Sequence, residues 1–300
     1  TAMSKLNHMI RRHIQLFFKD KGMFFCSLIT PVILLVLYAT FLAKIYRDSF
    51  AGALPAGLTV DPALIDATVG GQLISSLLAV CCVTVAFCSN LLMVQDKISG
   101  ARRDLTVTPV RRPVLAGAYF ASCALSTLIV NFGALGVCLL YLGITGWYLT
   151  LTDVGLIVLD VVLLTLFGVA LSSCVNSLLS TQGQASAVGT VVSAGYGFLC
   201  GAYMPISSFS EGLQKVMAFL PGNYGTSLLR NHALAGAYRE MADAGFPEQV
   251  IEGIKDSVDC NLYFFGNQVS MGGMYAVLCG AVVVLTALMV LLYALNRKDR

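Results

Sequence analysis

Few side chains in this sequence are of a type and spacing that could do bond chemistry. Asp160 stands inside an otherwise uncharged apolar run, about two helical turns past Asp153. A carboxylate at that shallow depth hydrogen-bonds or snorkels toward the outer leaflet, whereas a proton relay would want a second buried carboxylate. Asn131, and Asn90 and Asn176 nearer the inner face, are of the kind that hydrogen-bond one membrane helix to another; Asn131 and Asp160 are the polar residues placed to face a pathway. His8, His13 and His232 are scattered without ligand spacing, so no metal site is expected. No convergent set of His, Asp, Glu or Ser at matching depth marks a catalytic centre, and no catalytic residue is assigned. No Gly-x-x-x-x-Gly-Lys-Ser/Thr loop occurs, so any nucleotide is expected on another polypeptide. Nine of the ten cysteines lie in apolar segments and read as small packing residues; Cys260 alone falls in an outer loop, without an evident disulfide partner.

The elements that carry these residues are membrane helices. With 57% hydrophobic and 12% charged residues over 300 positions, the composition is that of an all-α polytopic membrane protein forming one domain. A net charge of +3 is too small to imply nucleic acid. Residues 5–21 place Leu6, Met9, Ile10, His13, Ile14 and Phe17 on one helical stripe with Arg11, Arg12 and Lys19 elsewhere, which predicts an interfacial amphipathic helix rather than the charged start of a span. Six spans are expected at 22–45, 69–95, 114–142, 153–175, 184–204 and 271–295, with Pro31 kinking the first. Trp147 and Tyr148 mark an aromatic belt in the outer turn between the third and fourth. The acidic loop 205–270 is expected to be folded: Pro247 opens a helix with Val250, Ile251, Ile254 and Val258 on one face, and Tyr263, Phe264 and Phe265 sit at the interface. With the N-terminus inside, thirteen of the 19 Lys and Arg residues fall on inner segments, so both termini are expected in the cytoplasm.

Two stretches carry more than topology. The cytoplasmic segment 96–113 is basic, as any short inner loop is, yet that rule does not account for its ordered Asp104-Leu-Thr-Val-Thr-Pro-Val-Arg-Arg-Pro. Asp96, Lys97, Gly100, Arg102, Arg103, Asp104, Leu105, Thr108 and Pro109 are its candidate coupling residues, because a short rigid element bounded by prolines carries a displacement that a floppy loop would absorb. The second stretch runs from Gly197 to Gly236. It contains Gly201-Ala-Tyr-Met-Pro-Ile-Ser, a segment with Phe209, Leu213, Val216, Met217 and Leu220 on one face, Leu220-Pro221, and Leu229-Arg230 before a closing Gly. This reads as a membrane exit followed by elements lying on or dipping into the interface. Just before it, Gly189, Ser193, Gly197 and Gly201 recur every four residues; such a ladder serves close packing within the chain or against a second protomer.

Taken together, the two motifs and the topology resemble the ABC type-2 exporter permeases over essentially the whole chain, departing from them in Ala101-Arg-Arg-Asp, where that family often shows Gly-Thr and a Glu. The resemblance implies a multi-pass protein of a cell membrane, of the bacterial plasma-membrane type. It also implies a nucleotide-binding ATPase subunit that carries ATP and Mg, and a second permease protomer, identical or not, with spans one and five lining the pathway. Its implied activity is outward movement of an amphipathic or lipophilic molecule (a drug, peptide or lipid-linked cargo) by alternating access. The alternative from another class is an ion-coupled secondary transporter without an ATPase subunit.

Overall fold

One long helix forms the axis around which the others assemble. The computed structural model describes residues 2–44, 47–48, 61–102 and 112–295. In chain order the helices are α1 (Ala2–Lys19), α2 (Lys21–Leu37, continued by a π-helical turn Tyr38–Leu42), α3 (Pro62–Ile98), α4 (Arg112–Thr145), α5 (Leu151–Leu178) and α6 (Gln182–Leu199). After them come α7 (Glu211–Met217), α8 (Pro221–Asp243), α9 (Glu248–Ser257), a two-residue hairpin β1 (Tyr263–Phe264) and β2 (Asn267–Gln268), and α10 (Met271–Leu295).

The axis is α3. Asp61 caps it, its side chain accepting from the Ala63 N–H at 2.9 Å, and Pro62 fits its first turn, where a missing N–H costs nothing. From Ala67 to Gln95 it carries no charge, and α2, α4, α5, α6 and α8 all pack on it. Its closest neighbour is α5, because Gly168 lets the backbones touch: a Cβ there would meet the Cys82 carbonyl oxygen at 2.6 Å. Buried amide groups along this seam donate from one helix to another. Asn90 donates to Ser172 at 3.1 Å and Ser173 at 2.8 Å, Asn176 donates to the Phe87 carbonyl at 3.4 Å, and Asn131 joins α4 to α5 through Thr165 at 2.8 Å.

Among the described residues, five helical segments are long and apolar enough to cross a bilayer: Lys21–Leu42, Pro62–Ile98, Val114–Thr145, Leu151–Leu178 and Met271–Ala294. Pro31 lies inside α2 without ending it. The span expected at 184–204 is the one that differs. Thr181 and Gln184 form a capping box that starts α6, but the helix stops at Leu199, short of Pro205, and its glycines, serines and glutamines leave it less apolar than the other five. Gly201, at φ +69°, turns the chain, and the N–H groups of Ala202 and Tyr203 fold back onto the Gly197 carbonyl at 2.9 and 3.0 Å.

Candidate functional site

At one end of the bundle the site is a clamp on the first residues of the 96–113 segment. The stripe Met9, His13 and Phe17 turns inward from α1 onto α3 and α4, as the amphipathic spacing requires. Arg12, beside it, reaches Asp96 at the end of α3 with two parallel N–H bonds of 3.0 and 3.1 Å. The Tyr119 hydroxyl of α4 donates to the same carboxylate at 2.7 Å, and His13 stacks on the Tyr119 ring at 4.5 Å. His13 pairs with Ser122 at 3.3 Å and is buried, which pushes its pKa down to about 4 and keeps it neutral. Hydrogen bonding to Asp96 raises the Arg12 pKa above its ordinary value.

Lys97, the very next residue, points the other way. Its ammonium donates to the carbonyls of Ser177 at 2.5 Å and Leu179 at 3.1 Å, neutralising the negative end of α5 at the turn into α6. Gly100 breaks the helix at φ +81°, and Arg102 lies 5.5 Å from the centre of the Tyr293 ring on α10. Four of the nine sequence-predicted coupling residues are therefore placed, and three of them bond or stack within the chain. Arg103, Asp104, Leu105, Thr108 and Pro109 lie outside the described residues.

At the other end, the segment after Pro221, expected to lie on or dip into the interface, is a 23-residue helix, α8, running antiparallel to α5. Two rungs seven residues apart on each helix hold it: Arg239 to Asp153 at 2.5 Å, and His232 to Asp160 at 2.5 Å. Gly225 then packs against Leu164, at the middle of α5, so the N-terminal part of α8 lies beside the middle of that helix. Asp160 thus has the partner that its isolation in sequence did not suggest, 72 residues away, and Tyr275 of α10 donates to its other oxygen at 2.6 Å.

Arg230, of the Leu229-Arg230 pair in the second motif, is fully buried. One side of its guanidinium donates to the Val258 carbonyl at 3.0 Å and Asp259 at 3.3 Å, the other to Ser76 of α3 at 3.1 Å and to the Gly201 carbonyl. Asp259 also accepts from the Ile206 N–H at 2.6 Å; burial pushes its carboxyl up, and Arg230 pulls it back. One fork thereby ties α8, the axis, the end of α6 and the 258–259 loop together. In that loop α9 lays Ile251, Ile254 and Val258 on α8, as the spacing predicted, and Cys260 is buried with its thiol pushed up to about 11.

Between these two ends, α2, α3 and α6 enclose a cavity of about 570 Å³. Gly189 and Ser193 line it. Gly197 does not: the Tyr203 ring covers it, and its smallness serves that contact. Gly201 belongs to the turn beyond the helix and cannot continue the ladder, a correction that follows from the early end of α6. Asn131 and Asp160 also lie away from this cavity, their polar atoms turned to other helices.

A family model described as ABC-2 type transporter matches residues 4–233, from α1 through most of α8. The chain belongs to the ABC-2 type transporter family. It is an ABC transporter permease, a multi-pass transmembrane component, and membership of the family implies pairing with an ABC ATPase subunit. The match spans the clamp, the cavity and Arg230 alike. No curated protein matches the chain.

Proposed function

We propose that this permease is the membrane-spanning subunit of an ATP-driven exporter that moves an amphipathic or lipophilic molecule outward by alternating access. In this reading α2, α3, α4, α5, α6 and α10 are six passes, both termini and residues 96–113 are cytoplasmic, and residues 205–270 are outside. ATP and Mg sit on the partner ATPase, and a second protomer, the same or different, completes the pathway. The observation that carries the reading is the pair Asp96 and Lys97. Adjacent in the chain, they bind opposite neighbours, α1 with α4 on one side and the α5–α6 turn on the other. A push on the segment that follows them therefore reaches the helices on both sides of α3 at once, as a transmission element must. The fork of Arg230 supports the complementary role at the far end, holding α8 to the axis while α6 carries the stroke. Family membership does not favour ion-coupled secondary transport.

The test is reconstitution with the partner ATPase subunit and replacement of Asp104, Leu105 and Pro109 by alanine. Stimulation of ATP hydrolysis by the permease is expected to fall at least tenfold while the complex still assembles. Unaltered stimulation would remove the coupling role.

A further inference from the structure

The cavity between α2, α3 and α6 is chemically one-sided in a way that selects its occupant. Among the described residues no Asp, Glu, Lys, Arg or His lines it. An ionic head group placed there would give up its hydration with no countercharge, a cost of several kcal/mol. Its side-chain amides are at one end, while the hydroxyls of Ser186, Thr190 and Ser193 continue along the α6 wall. Gln95 and Gln182 stand at the cytoplasmic end, level with the Lys97 cap on α5, while Ile29 and Ile33 of α2 form the wall deeper in the bilayer. From Gln182 to Ala194 the lining follows α6 for about 18 Å, the reach of a fatty chain. The volume falls within the range of single small-molecule sites.

We propose that this cavity binds an uncharged, single-chain amphiphile, with an amide- or hydroxyl-bearing head at Gln95 and Gln182 and the chain directed toward mid-membrane. The assignment deepens the exporter reading, resting on it for the direction of travel but not for binding. The site is a recess and not a flat docking face: about 570 Å³ of space lies between the three helices, and nothing lies within 4 Å of where a Cβ on Gly189 would stand, so that wall leaves the space open. A second copy laid over α2 and α6 would roof such a recess and leave it open inside. On the membrane side, Ile29 and Ile33 remain more than half exposed, which gives a chain entry from the surrounding lipid.

The experiment uses the full chain in lipid nanodiscs, with neither ATPase nor ATP. Three photoreactive probes share one alkyl chain and differ in the head: a monoacylglycerol, a fatty acid and an alkylammonium. The uncharged probe is expected to label α2 and α6 peptides at least fivefold more than either charged one, and to shield Cys26 and Cys88, which line the cavity, from N-ethylmaleimide. Gly189→Leu, which projects into open space, should cut labelling at least fivefold. Thiol shielding in the unmodified chain needs no variant and decides the matter if that variant fails to fold. Equal labelling by all three probes, preference for a charged one, or Cys26 already shielded and cross-linking to Cys26 of a second copy without probe would overturn the assignment. Binding without ATPase coupling would leave the site standing and remove the exporter reading; coupling without binding would do the reverse.

Discussion

Replacing Arg12 by alanine should release α1 from the bundle more readily than replacing Asp96 by asparagine, although both break the same ion pair. The asymmetry comes from burial: the Arg12 side chain is 37% exposed and that of Asp96 is 6% exposed. Without Arg12, a carboxylate stays buried with Tyr119 as its remaining donor within hydrogen-bond distance among the described residues. Stranding one partner of a fully buried pair costs about 3–5 kcal/mol, and the half-open position of the guanidinium reduces this to about 2 kcal/mol. In Asp96→Asn the amide keeps the shape and the Tyr119 hydrogen bond, and Arg12 turns to water, for a loss of about 1 kcal/mol. Amide hydrogen exchange across α1 reads both as local opening: about 30-fold faster exchange for Arg12→Ala and about fivefold for Asp96→Asn. The double variant should resemble Asp96→Asn, because the stranded charge is gone. Equal effects of the two single changes, or simple addition in the double, would refute the clamp as described.

Acid should loosen the same contact. Since the folded-state pKa of His13 is pushed down to about 4, below the ordinary value near 6.5, its contribution to α1 docking is complete above pH 6.5 and lost as pH falls toward 4, by at most about 3 kcal/mol. An environment-sensitive fluorescent amino acid at exposed Gln15 should report that release, and His13→Phe, which keeps the stack on Tyr119, should abolish its pH dependence. At the outer end, Arg230→Lys should destabilise by about 3 kcal/mol, nearly as much as Arg230→Ala, because a single ammonium cannot serve both sides of the fork. Thermal unfolding followed through Trp147, the chain's one tryptophan, measures it, and full rescue by lysine would contradict the two-sided role.

Much of the scaffold was legible in the residues. Uncharged runs longer than a bilayer is thick must be helices in lipid, since no other open structure satisfies the backbone, and this placed α2, α3, α4, α5 and α10 to within a few residues at most of their ends. The stripe of α1 and the face of α9 followed from 3.6-residue spacing. The end of α6 was misjudged for a local reason: Pro205 looked like the terminator, but Gly201 adopts the left-handed conformation four residues earlier. The length of α8 was hidden because it is rich in Gly, Asn, Ser and Ala and buried on nearly every side, so neither an apolar run nor an amphipathic stripe announces it.

The sequence by itself determined that this is a helical membrane protein, that its loop between the second and third spans is basic and proline-bounded, and that Asp160 is a lone carboxylate in an apolar run. Hydropathy and periodicity are properties of neighbouring residues, and they survive without a fold. Only the tertiary structure decided that the partner is His232, that Arg12 holds Asp96, and that Arg230 joins four segments, the farthest 154 residues away. A charge removed from water requires a counterpart, and the chain states that need locally; which counterpart answers it depends on how helices distant in sequence cross in space.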